Sequence, residues 1–323
     1  MIAVRGLSAI YRKELEDHFS STRFTLVLTV VLMVSLLMSW MTATSVRKEL
    51  EGFAKPSLVF LVLFTSSGAM FSFAQFVAFF GPLIGLVLGF DAINRERALR
   101  TLPKLVSQPV HRDAVINGKF LAGLTTVGVL LTALVAMIAG LGLRVLGVVP
   151  GWEEIGRLAL YLLVSAIYVG FWLGLAILAS VVFRGMATSA LAVLALWIFL
   201  AFFVPVVASL AADALAPVPP TPTMEDIPVV LQNEQIKRAV SYVSPMTLYS
   251  DATAVLLDPM RKTTRSLVLL GPMERLSLTR FQNPLPLAQS ALVAAPHLLL
   301  LVAGTFVVFA LCYATFMRQE IRA

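Results

Sequence analysis

In a chain of 323 residues, 59% hydrophobic and only 13% charged, the composition excludes a soluble globular domain, in which about a quarter of residues carry charge. A net charge of +7 in such a chain reads as Lys- and Arg-rich loops on one side of a membrane, and no basic stripe with interleaved aromatics points to nucleic acid. The one cysteine, Cys312, sits in an apolar run and excludes a disulfide framework or a cysteine metal site within the chain.

Residues 1–22 read as an amphipathic helix. Leu7, Ile10, Tyr11, Leu15, His18 and Phe19 share one face, opposite Arg12, Lys13, Glu16 and Asp17, the pattern of a helix lying in the membrane interface. Six apolar runs follow, at residues 24–43, 70–90, 120–143, 158–183, 187–211 and 291–317, each long enough to cross about 30 Å of hydrocarbon at about 1.5 Å per residue. The first is too long for a signal peptide and lacks a small-residue cleavage site. The fold class is therefore an all-α integral membrane protein, one transmembrane domain over 1–323 with six transmembrane helices. The run from Leu58 to Phe90 overshoots a single span, so a break is expected near Ser66-Ser67-Gly68, leaving Leu58–Thr65 as an interfacial or re-entrant piece.

The second span carries Gly81, Gly85 and Gly89 at every fourth position, and the fourth span repeats the pattern with Gly170 and Gly174. Such a face lets backbones approach closely, either within one subunit or between two. Gln75 in the second span and His297 near the outer end of the last are the candidate intramembrane polar sites: Gln75 suits a helix-helix hydrogen bond or a substrate contact, His297 a functional ionisable site or a neutral contact. Pro82 and Pro205 are placed to kink their spans.

Between the second and third spans, residues 90–120 form a charged interruption, with 94–117 as its cytoplasmic segment. Asp91, Arg95, Glu96, Arg97, Arg100, Lys104, Arg112, Asp113 and Lys119 would each cost on the order of 2.5–3.5 kcal/mol at the bilayer centre, so the segment faces water or another protein. Glu96 and Arg100 are spaced i, i+4, and Leu99, Leu102, Leu105 and Val106 supply an apolar stripe. A short helix over Asn94–Val106 is expected, punctuated by Pro103 and Pro109. Counting Lys and Arg in the short loops gives thirteen on the side of the termini and this segment against five on the other, which places both termini in the cytoplasm of a cell with a cytoplasmic or inner membrane. The long segment 212–288 then lies outside. It carries two helix signatures, Ile227–Tyr242 and Pro245–Leu257, the second with Ser244 as N-cap, Pro245 as first residue and Asp258-Pro259 as stop.

The run Asp91, Glu96-Arg97, Thr101-Leu102, Leu105, Ser107-Gln108-Pro109, Arg112 and Gly118-Lys119 resembles the signature of the ABC-2 type permeases, the membrane subunits of ATP-binding-cassette exporters. IYRKELEDHFSSTRF is similar to that family's elbow helix, SPMTLYSDA to its external motif before the last span and FMRQEIR to its cytoplasmic end. Arg100 stands where many members have glycine before Thr-Leu, and Pro103 interrupts an often continuous helix. The resemblance implies that this segment is a coupling helix seated in a cleft of an ATPase subunit, with Glu96, Arg97, Thr101, Leu102, Leu105, Ser107, Pro109 and Arg112 as the coupling residues. It also implies two copies of the ATPase, a second permease copy or a paralogue, and a cargo route between the two permeases.

No G-x-x-x-x-G-K-[ST] occurs, so ATP and magnesium are expected on the partner ATPase, with no cofactor, metal or catalytic set on this chain. Sparse charge within the spans favours a lipid, amphipathic peptide or drug as cargo over an ion. Two other readings are a non-transporting mechanotransmission subunit acting on an external protein through 212–288, and, more remotely, an intramembrane hydrolase.

Overall fold

A computed structural model describes residues 2–49, 58–66, 72–100, 111–219, 226–263 and 283–319. Among them every regular element is helical, and six helices are long and apolar enough to cross a membrane: Phe24–Lys48, Phe73–Ala98, Arg112–Leu146, Trp152–Val182, Met186–Leu215 and Leu287–Arg318. The chain is an all-α, multi-pass membrane protein. Its internal contacts divide it into two compact units, residues 1–195 with 301–323, and residues 196–300. That boundary falls inside the fifth and sixth spans, not at the ends of the 212–288 segment.

The first unit opens with α1 (Ile2–Ser20), separated from α2 (Thr22–Glu49) by Ser21 alone. The buried face of α1 is centred on Ile10 and Glu14, with Tyr11, Leu15 and His18 half-buried and Phe19 exposed. It lies along α6 (Arg112–Leu146), where Gly118 permits the approach: a Cβ there would stand 2.8 Å from Ile10. The third span thus starts at Arg112, eight residues before the apolar run itself, because Ala114, Val115 and Ile116 already bury a face.

α3 (Val59–Thr65) is a separate helix from α4 (Phe73–Gly89), and Phe60, Leu61, Leu63 and Phe64 are all buried. Its free amino-terminal amides are met by a distant carboxylate. Glu154, near the start of α7 (Trp152–Val182), accepts from Phe60 N at 3.0 Å with one oxygen and from Gly151 N at 2.8 Å with the other, so it caps two helices at once. Phe64, Phe73 and Tyr161 form an edge-to-face cluster beneath it.

The centre of this unit is the α4–α7 pair. A Cβ at Gly85 would sit 2.8 Å from both Leu173 N and Val169 O, and one at Gly89 would sit 2.7 Å from the Ala176 Cβ. Side chains are excluded because backbone meets backbone. The Tyr168 hydroxyl donates to Ala78 O at 2.6 Å on the same seam. The second and fourth spans are accordingly the most buried of the six, while most of the first is exposed.

The fifth span starts in the first unit as α8 (Met186–Ile198), enters the second at Leu196, and continues through a π-helical turn, Phe199–Phe203, into α9 (Val204–Leu215). Pro205, second in α9, has no amide hydrogen to offer the preceding turn, and there the bonding widens, with Val204 N reaching Phe199 O. α10 (Ile227–Ser241) is tied to α9 by Asn233, whose amide donates to Asp213 Oδ1 at 3.0 Å and Ala216 O at 2.9 Å. α11 (Pro245–Leu257) begins after Ser244 and closes at Asp258; the Ser244 side chain makes no capping bond. α12 (Leu287–Arg318) enters this unit with its first turns, and the first unit from Leu301 onward.

Candidate functional site

The charged interruption leaves α4 through a turn, Phe90–Ile93, and begins a short helix, α5 (Asn94–Ala98). Helix geometry ends there. Leu99 and Arg100 form a turn, and Arg100 has φ 55°, the left-handed region that glycine adopts without penalty. That is the position where the resemblance expects glycine. Glu96 and Arg100 therefore do not share a helix, and the expected i, i+4 pair is replaced by a contact from elsewhere in the chain.

That contact is Lys119. Its Nζ lies 2.7 Å from Glu14 Oε1 and 3.0 Å from Glu96 Oε1, and all three residues are buried. Lys13 flanks them at 3.5 Å from Glu14 and 3.7 Å from Glu96. The cluster joins α1, α5 and α6. Burial alone would raise the Glu14 carboxyl, but the charge of Lys119, its hydrogen bond and the nearby Lys13 outweigh it and hold the group below its ordinary value. His18, one turn on, is lowered by burial despite the attraction of Glu14.

A second set of bonds fastens the same turn to α7 and α12. The Ser180 hydroxyl accepts from Ile93 N at 2.9 Å and Asn94 N at 3.1 Å, and Asn94 Nδ2 donates to Gly185 O at 3.3 Å. Arg97 donates to Val181 O at 3.1 Å and to the side chain of Gln319, which itself donates to Val181 O at 2.7 Å. Arg112 reaches Gln319 O at 3.3 Å. Asn94 to Arg97 is thus bonded to the elbow helix, the foot of the third span, the end of the fourth and the end of the sixth.

Glu96 and Arg97, expected from the resemblance to meet an ATPase, are engaged within the chain: Glu96 is buried against Lys119, and Arg97, half-buried, donates to backbone carbonyls. Leu99, 63% exposed, and Arg100 face outward. Thr101, Leu102, Leu105, Ser107 and Pro109 lie outside the described residues. The Gly81, Gly85 and Gly89 face packs against α7 of the same chain, which leaves no room for a second copy on that face. Gln75 is not a mid-span polar group: it is exposed at the start of α4, accepting from Ser72 N at 2.9 Å while its own N donates to Ser72 Oγ at 3.2 Å, a reciprocal cap. His297 is buried in the second unit, its Nε2 3.1 Å from Tyr242 Oη and 3.9 Å from Asp251 Oδ2, with Arg238 4.0 Å from the same carboxylate. Burial raises the Asp251 carboxyl against the opposing pull of Arg238 and His297. Among the described residues no group of three His, Cys, Asp or Glu side chains could hold a metal ion.

Glu14, Ser180 and Gln319 escape a reading of motifs. For Glu14 a signal existed, a carboxylate one turn after Ile10 and one turn before His18, in the middle of the apolar face of the elbow. Ser180 and Gln319 carry none, since a serine in a span and a glutamine at a helix end are ordinary.

A six-span helical membrane protein with a short charged segment locked to its span ends is the class these features define. The family model described as "ABC-2 family transporter protein" matches residues 8–321. The chain belongs to that family, as a permease subunit of an ABC transporter. Among curated proteins none matches it.

Proposed function

We propose that this chain transmits the ATP-driven movement of a separate ATPase to its own spans, exporting a lipid, amphipathic peptide or drug. The ATPase docks on the segment that follows Ala98, where Leu99 is exposed and the sequence adds two further leucines, Leu102 and Leu105. Both termini and this segment face the cytoplasm, two ATPases and a second permease complete the assembly, and ATP with its magnesium stays on the ATPases.

The observation that carries this reading is the fastening of Asn94–Arg97 to the elbow and to the third, fourth and sixth spans. A docking segment on a free loop would yield under load. One whose first turn is bonded to four other elements passes a displacement to all of them, and packed interfaces answer by rigid-body shifts, not by bending.

Replacing Leu102 and Leu105 together with alanine tests it. The variant should lose co-purifying ATPase or uncouple its turnover from transport, with the six spans still folded. Full binding and coupled turnover in that variant would mean that the segment is an ordinary charged loop.

A further inference from the structure

A cavity of about 830 Å³ opens in the first unit between α1, α5 and the cytoplasmic-side ends of α2 and α4. Its mouth is charged and its floor is apolar, formed by Phe24, Val87, Leu88 and Ile177. A second hollow of about 450 Å³, almost wholly apolar, runs along the seam of α2, α4 and α8, with Leu26, Val30, Ile84 and Leu191 on its walls. Val87 lines both, so a polar mouth at the level of the elbow and an apolar slot at the depth of the spans adjoin at one side chain. Each volume falls in the range of about 300–1,000 Å³ typical of small-molecule sites.

The order of polarity, charge at the interface and hydrocarbon below, is that of a membrane amphiphile. The mouth selects among headgroups. Four carboxylates, Glu14, Asp17, Asp91 and Glu96, line the cavity against three fixed cations, Lys13, Arg95 and Lys119, so a purely anionic headgroup meets net repulsion. Arg95 is exposed and has no ion-pair partner among the described residues, while Asp17, half-exposed on the facing helix, shares only a long contact with Lys13 at 3.7 Å. An anion-binding guanidinium on α5 and an accepting carboxylate on α1 face one space.

We propose that this slot binds one zwitterionic phospholipid with a primary ammonium, its phosphate on Arg95, its ammonium on Asp17, and an acyl chain in the groove beside Leu26 and Leu191. The ammonium supplies three donors where a quaternary amine supplies none, so an ethanolamine headgroup outranks a choline one.

Native mass spectrometry of the full chain, re-extracted from vesicles of equimolar phosphatidylethanolamine, phosphatidylcholine and phosphatidylglycerol, tests this. One retained phosphatidylethanolamine per chain is expected, with about a tenfold preference over phosphatidylglycerol. Leu26→Trp and Leu191→Trp, at positions 62% exposed and so tolerant of a larger side chain, should fill the groove and abolish retention without lowering the melting temperature. Arg95→Glu should reduce retention about tenfold. Soluble glycerophosphoethanolamine should fail to displace the lipid, since it lacks the chain; equal displacement would contradict the groove's part. Retention that ignores both headgroup and the tryptophans would mean annular lipid only, and a preference for phosphatidylglycerol would overturn the headgroup assignment.

Discussion

Two polar clusters join distant helices in this protein, and they are built differently. In the first unit Lys119, Glu14 and Glu96 meet at 2.7 and 3.0 Å with every member buried. In the second, Arg238, Asp251 and His297 meet at 4.0 and 3.9 Å, and Asp251 and Arg238 keep about a fifth of their side chains exposed. Charges in hydrogen-bond contact out of water fix geometry and punish the loss of any member; loose, partly wet pairs contribute little. The first cluster is therefore a clamp on the charged segment, and the second leaves its helices freer to adjust.

The largest effect should come from breaking the clamp. Lys119→Met leaves two buried carboxylates facing each other and should destabilise the protein by about 3–5 kcal/mol, read as a lowered melting temperature or loss of the monodisperse peak in detergent. Adding Glu14→Gln and Glu96→Gln should restore much of that loss, because neutral amides carry no charge to bury. If the triple variant is as unstable as the single one, the cluster is a packing site and not an electrostatic clamp.

Next comes the α4–α7 seam beside it. Gly85→Ala places a methyl 2.8 Å from two backbone atoms, which cannot swing away, and should cost about 1–3 kcal/mol. Gly81→Ala meets only side chains at 3.1 and 3.2 Å and should cost less, so the melting temperatures of the pair should be ranked.

Arg100→Gly should stabilise by about 1 kcal/mol, by relieving the left-handed backbone. Arg100→Ala should not, since alanine carries the same Cβ. A gain with alanine equal to that with glycine would shift the cause from backbone to charge.

The smallest effect separates the two clusters by pH. Glu14 is held below its ordinary 4.5, so its share of stability is complete above that value and is lost as pH falls through the folded one. Asp251 is raised above its ordinary 3.8, so its share is complete below that value and is lost as pH rises through the folded one. Melting curves taken between about pH 3 and 7 should show opposite slopes from the two. Glu14→Gln should flatten the rise and Asp251→Asn the fall; matching responses would erase the distinction.

The sequence carries the spans plainly, since length and apolarity are local properties. Six runs suffice to place six helices, and the break before Phe73 follows from a run too long for one bilayer crossing. It carries the site less well. The charges of residues 91–119 announce an exposed segment, yet which of them face outward depends on partners more than 80 residues away, such as Ser180 for Asn94 and Gln319 for Arg97. Spacing alone suggested Arg100 for Glu96, but a left-handed residue ends the helix first. Gln75 misleads for a related reason: hydropathy does not register that a polar residue three places after a serine is a cap at a helix start. The glycine face is legible as a close contact, while its partner, α7, is a matter of tertiary structure.

On the proposed function, Arg97 and its neighbours transmit movement and do not dock the ATPase. This is tested most directly by the ATP turnover of the assembled complex bearing Arg97→Leu, measured at matched ATPase content in reconstituted membranes. The account predicts that the ATPase stays bound in full, while its turnover loses its dependence on the permease and on cargo. Coupled turnover equal to that of the parent, or loss of the ATPase from the complex, would contradict it.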